Sequence, residues 1–275
     1  MIKWQKKRKE GKYMLRALDS FFEATAWPME VPPAYGPFHI LFTLIGFAVC
    51  AFAAWKLQKC SEKSAKWLLF GIGLFLAFAE IYKQFFYYFV MMDNAYSWGD
   101  FPFQLCSIPM YMCLIAPWLK PGRLQRGMYS FMVLYNLLGG AIAFTEPSGL
   151  LHGYWFLTLH ALIWHMLLVF IGLFLCFSKR GATSLSDYWS ATWTFLVLCA
   201  VAFALNSFVQ FGLHDQMNMF FVGPGNSPII VFKQISEWFG WYVSTLIYIP
   251  VVCFGAYILF RIIHFAQNRS KPVTA

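Results

Sequence analysis

The chain has 275 residues, 60% of them hydrophobic and only 12% charged, with a formal net charge of +9. Soluble domains carry about twice that share of charge, so the composition excludes a water-soluble fold. Aromatics at 21%, including 12 Trp, suit lipid-facing surfaces and interfacial belts. The basic residues sit in short loops between apolar runs, which argues against nucleic acid and makes the charge a sign of membrane topology.

Residues 1–34 read as an N-terminal tail. Within it, Asp19 and Glu23 interrupt any signal-peptide core. Leu15, Leu18, Phe21 and Phe22 fit one helical face, so 14–30 is expected to be an interfacial amphipathic helix. Seven apolar runs follow, at about 38–57, 67–92, 102–119, 127–145, 153–177, 191–212 and 238–262. Each is close to the roughly 20 residues that cross a bilayer. None alternates with period two, so helices are the expected spanning element. The expected fold is an all-α membrane protein: a seven-transmembrane-helix bundle over 35–265, with helices two to seven around an internal pocket. Residues 266–275 form a C-terminal tail.

Loop charges orient the bundle. Lys56, Lys59, Lys63, Lys66, Lys120, Arg123, Arg126, Lys179, Arg180, Arg261, Arg269 and Lys271 fall on one side, against Lys233 on the other. The positive-inside rule makes the first side cytoplasmic, with the N-terminus outside and the C-terminus inside. The basic tail at Lys3, Lys6, Lys7, Arg8, Lys9, Lys12 and Arg16 runs against this. Either translation starts at Met14, or the bundle tolerates the tail.

The second span carries Glu80 and Lys83, three residues apart and so on one face. Ionisable groups inside a span are costly and mark function by default. The third span opens Asp100-Phe-Pro-Phe-Gln-Leu-Cys-Ser. Asp100 and Pro102 predict an N-cap and first turn, with Cys106 in the second turn near the positive helix end. Gln104 and Ser107 flank it with hydrogen-bonding groups, and Pro109 frees the carbonyl of Leu105. The fifth span holds His160, with His152 and His165 nearby, and the sixth holds Asn206. At about 1.5 Å per residue, Glu80, Lys83, Cys106, His160 and Asn206 all reach the outer half of the membrane. No two of the seven cysteines form C-x-x-C, nothing supplies a clean zinc ligand set, and the histidines give a haem site only weak support. Neither a metal nor another cofactor is therefore expected. The residues alone leave open a packed structural thiol beside a self-neutralised Glu–Lys pair.

Glu80 and Lys83, then Pro-Phe-Gln-Leu-Cys-Ser at 102–107, then a histidine-bearing fifth span, resemble the YwaF-type integral membrane proteins, related to eukaryotic transmembrane protein 164. Asn206, Asn218-Met-Phe-Phe, Pro228 and Gly240-Trp-Tyr are similar to that family's second half. The resemblance covers about 35–262. The Asn206–Asn218 spacing is longer than the family's, and Gly240 stands where proline is expected. The resemblance implies a phospholipid acyltransferase with a cysteine acyl intermediate. Cys106 would be the nucleophile and His160 its base, with Glu80, Lys83, Gln104 and Asn206 as orienting or oxyanion groups. The partners implied are a membrane phospholipid or lysophospholipid and its acyl chain, in a multi-pass protein of the bacterial cytoplasmic membrane. The rival is a seven-helix transporter or sensor in which Glu80 and Lys83 relay protons or anchor a ligand.

Overall fold

The computed structural model describes residues 15–225, 227 and 229–269. The basic tail before residue 15, Lys271 and Pro228 lie outside the described residues. Among those described there is no strand, only an isolated bridge between Pro28 and Tyr154.

Ten helices are named in chain order. They are α1 (15–25), α2 (Pro37–Leu57), α3 (Glu62–Phe86), α4 (Ile108–Ile115) and α5 (Arg123–Phe131). Then come α6 (Leu137–Ile142), α7 (Trp155–Phe177), α8 (Leu185–Ser207), α9 (Ile230–Phe239) and α10 (Trp241–Arg269). A π-helical segment, Met132–Asn136, fuses α5 to α6. Two more, Tyr87–Met91 and Phe208–Gly212, extend α3 and α8. Six helical stretches are long and apolar enough to cross a membrane: Pro37–Leu57, Glu62–Met91, Arg123–Thr145, Trp155–Phe177, Leu185–Gly212 and Trp241–Gln267. The protein is thus an integral, multi-pass membrane protein.

The α5–α6 and α7 spans are the axis of the bundle, each with 67% of its apolar window buried, against 11% for α2. Small residues let these helices close. A Cβ at Gly172 would meet Leu137 at 2.5 Å, and one at Gly140 would meet Leu168 at 2.9 Å. Such contacts drive association in lipid, where apolar surface gains little from leaving the solvent. α2 lies at the rim against α7, where Cys50 donates its thiol to the carbonyl of Met166 (3.4 Å).

One end of the bundle carries the basic loops and is stitched by ion pairs. Arg126 binds Asp187 at 2.9 Å, and Arg180 binds Glu62 at 2.9 Å. Ser184 and Asp187 form a capping box at the start of α8. α1 is hooked to the opposite end. Phe22 is buried against Tyr82 and Phe89, and the Tyr82 hydroxyl bonds Thr25. Leu15 and Phe21 stay exposed, so the expected single apolar face divides between the bundle and its surroundings.

The third apolar run differs from expectation. Residues 101–107 are not helical, and α4 starts only at Ile108, with Ser107 at the N-cap and Pro109 in its first turn. Asp100 ends a short 3-10 helix, Trp98–Asp100, and caps nothing. Cys106 therefore precedes the helix, and Cys113 does not share a helical face with it. Irregular backbone at membrane depth needs all its polar groups satisfied by protein. Here they are. The carbonyl of Asp100 accepts from Gln84 (2.5 Å), that of Pro102 from the Tyr111 hydroxyl (2.9 Å), and that of Cys106 from Trp164 Nε1 (2.9 Å). The carbonyls of Phe101 and Gln104 accept from the amides of Phe103 (2.7 Å) and Ser107 (2.8 Å).

Candidate functional site

Glu80 and Lys83 stand one turn apart on α3 and form an ion pair of 2.9 Å, as their spacing predicts. Glu80 is 4% exposed. Its Oε1 also accepts from Gln84 Nε2 at 2.7 Å, and Gln84 bridges onward to the backbone of Asp100. Gln84 was not singled out from sequence, although it lies four residues from Glu80 on the same face. Among the described residues Lys83 makes no other hydrogen bond, so most of its ammonium donors are unspent.

Cys106 is held from the side by α7. Trp164 Nε1 grips its carbonyl, and the Trp164 ring stacks on His160 with centroids 5.2 Å apart at 29°. The four-residue spacing of His160 and Trp164 puts both on one helical face. His160 Nε2 is buried without a hydrogen-bond partner. No hydrogen bond joins it to the Cys106 thiol among the described residues. Lys83 lies within electrostatic reach of both Cys106 and His160. These three side chains and Glu80 are therefore brought to one region. His165 turns away, its Nδ1 on the carbonyl of Ala161 at 2.8 Å. His152, in the loop before α7, has its imidazole pushed down by burial. Burial likewise pushes the Asp100 carboxyl up, against a hydrogen bond from Ser97 and the attraction of Lys83.

Gln104 and Asn206 do something the sequence did not suggest. Both amides clamp the 213–225 loop. Gln104 Nε2 donates to the carbonyl of Asn218 (3.2 Å), and its Oε1 accepts from the amide of Phe220 (3.0 Å). Asn206, fully buried, donates to the carbonyl of Met219 (3.0 Å) and accepts from the amide of the same residue (2.7 Å). A Cβ on Gly223 would strike Asn206 at 2.6 Å, so the loop closes on this amide. Between the clamps Phe220 and Phe221 both hold φ of 56°. Bulky residues adopt that conformation at a cost of order 1–3 kcal/mol, and only where the surroundings enforce it. The two amides supply that enforcement.

A cavity of about 850 Å³ opens beside this loop, lined by Gln104, Gln210, His214, Asp215, Asn218 and Trp241 among others. Of the six side chains singled out from sequence, only Gln104 reaches it. No group of three or more His, Cys, Asp or Glu side chains among the described residues is placed to hold a metal ion.

Comparison with curated proteins and with solved structures returns no match. The model of the TMEM164 family matches residues 34–260, most of the chain and every element of the site just described. The protein is a membrane protein of the TMEM164 family.

Proposed function

We propose that the protein is a membrane acyltransferase that carries an acyl chain as a thioester on Cys106. One observation carries the reading: a single tryptophan, Trp164, binds the backbone of Cys106 and stacks on His160, with Lys83 in electrostatic reach of both. A thiol, an imidazole with a free ring nitrogen and an ammonium with unspent donors are the parts that acyl transfer needs.

The thiol gives its proton to His160, and its sulfur attacks an ester carbonyl. The carbonyl oxygen gathers negative charge near Lys83, which Glu80 holds from the side. The leaving alcohol takes the proton from His160, and an acceptor hydroxyl reverses the steps. Gln104 and Asn206 fix the loop above the site and donate nothing to the oxyanion. The acyl donor and acceptor are a membrane phospholipid and a lysophospholipid, which approach from within the bilayer.

On this reading residues 101–118 are the seventh pass, non-helical in its first part and α4 in its second. Passes two to seven, in chain order, surround an internal pocket that takes the substrate, with α2 at the rim. The basic loops face the cytoplasm, with the N-terminus outside.

The test is acyl exchange in liposomes holding the purified protein, a phospholipid with an isotope-labelled chain and an unlabelled lysophospholipid. The expected result is labelled chain on the former lysolipid. Absence of exchange, with solute or proton flux in the same vesicles, would replace the enzyme by a transporter.

A further inference from the structure

The cavity at the end opposite the basic loops has a chemistry of its own. α8 runs on past Ser207 as the π-helical turn Phe208–Gly212, which carries Gln210. Such turns are rare and recur at functional sites. Beyond it His214 turns the chain at a φ of 55°, and the Asp215 amide is tied back to the carbonyl of Val209 at 3.2 Å. This turn, the 99–104 stretch and the start of α10 enclose about 850 Å³, room for a small ligand.

Four of the residues lining the cavity end in a side-chain amide: Gln104, Gln210, Gln216 and Asn218. Asp215 is the one carboxylate, and Trp241 supplies an aromatic wall. Among the described residues, none that lines it is Lys or Arg. Part of the wall is set before any ligand arrives. Gln104 is held by the backbone of Asn218 and Phe220, Asn218 Oδ1 accepts from the Gly223 amide (3.2 Å), and Trp241 leans on Phe203 (6.3 Å, 32°). The rest is unspent. Among the described residues, the side chains of Gln210 and Gln216 make no hydrogen bond, and Asp215 Oδ1 takes the Gln216 amide (2.7 Å) while Oδ2 takes nothing.

Phosphate and carboxylate ligands call for Arg or Lys, and the lining has neither. A quaternary ammonium makes no hydrogen bonds and would leave the amides unused. An amide side chain both donates and accepts, as a hydroxyl does. A group with several neighbouring hydroxyls therefore matches this lining, with its C–H face on the electron-rich face of Trp241. We propose that the cavity binds an uncharged polyhydroxyl group, a glycosyl unit. The site goes beyond the acyl-transfer reading and stands without it, because it contains none of the reacting groups of that reading.

The test uses liposomes holding the full-length protein and three photoactivatable probes, each with its diazirine on the polar group. They are a glucosyl diacylglycerol, a soluble methyl glucoside and a phosphatidylcholine. Cross-links are mapped by peptide mass spectrometry. A glucosyl probe should label residues 210–221 and Trp241 saturably. Labelling by the glucolipid alone makes the ligand a glycolipid headgroup, and labelling by the soluble glucoside makes it a free sugar; both support the site. Trp241→Leu should raise the half-saturating probe level about 10-fold, and Gln216→Ala about 3-fold. Gln216 is exposed, so its variant keeps the fold whatever Trp241→Leu does. Wild-type saturation in either folded variant, no labelling by either glucosyl probe, or equal labelling by phosphatidylcholine overturns the proposal.

Discussion

Among the described residues, two ion pairs have a buried carboxylate, Glu80 with Lys83 and Asp187 with Arg126, and they differ in how fully that carboxylate is bonded. At the basic end, Asp187 is saturated. Both its oxygens accept from Arg126, and Oδ2 also accepts from the Thr183 amide and hydroxyl and from the Ser184 amide. At the other end, Glu80 Oε1 accepts from Lys83 and Gln84, while Oε2 accepts from no described residue, and Lys83 has one partner. A saturated network holds a structure and has nothing left to offer a ligand. An unsaturated one in an apolar bundle costs stability and is kept where something else completes it. On the proposed reading, Arg126–Asp187 serves structure and the Glu80–Lys83 end serves chemistry.

The sharpest break of that contrast is at the thiol. Cys106→Ala should lower acyl transfer by about 1000-fold or more while the protein stays folded. Cys113→Ala, at a fully buried packing position beside Met132, should keep function. His160→Ala should match Cys106→Ala, with the double variant no worse than either single one, as expected of a nucleophile and its base. Turnover in liposomes checks all four proteins.

The saturated end should show the reverse pattern. Asp187→Ala takes the acceptor from Arg126 and from the Thr183 and Ser184 amides, which should cost about 3 kcal/mol. It should leave turnover per folded molecule unchanged. Thermal unfolding in detergent, with activity measured on the folded fraction, tests this. A large loss of turnover at full stability would put chemistry at the wrong end.

The smallest expected effects lie at the loop clamps. Gln104→Ala and Asn206→Ala each remove two hydrogen bonds from the 213–225 loop, worth about 1–3 kcal/mol together at each site. Hydrogen exchange at 218–223 should speed up in both. They share one loop, so the double variant should cost less than the sum.

Much of this was legible in the sequence. Six spans follow from apolar length alone, and the Glu80–Lys83 pair follows from a three-residue spacing. The start of α4 was not, because Asp100 and Pro102 imitate a helix N-terminus as well as Ser107 and Pro109 do. The choice fell to tertiary bonds from Gln84, Tyr111 and Trp164 that stabilise an irregular backbone. The clamps were equally hidden, since Gln104 meets its loop across 114 residues of chain.

The central claim is a covalent one, and the most direct measurement is peptide mass spectrometry of the wild-type protein after incubation with a phospholipid bearing an isotope-labelled acyl chain. The account predicts a hydroxylamine-labile acyl group on the peptide that contains Cys106. Label on another cysteine, or lipid exchange with no label on the protein, would contradict it.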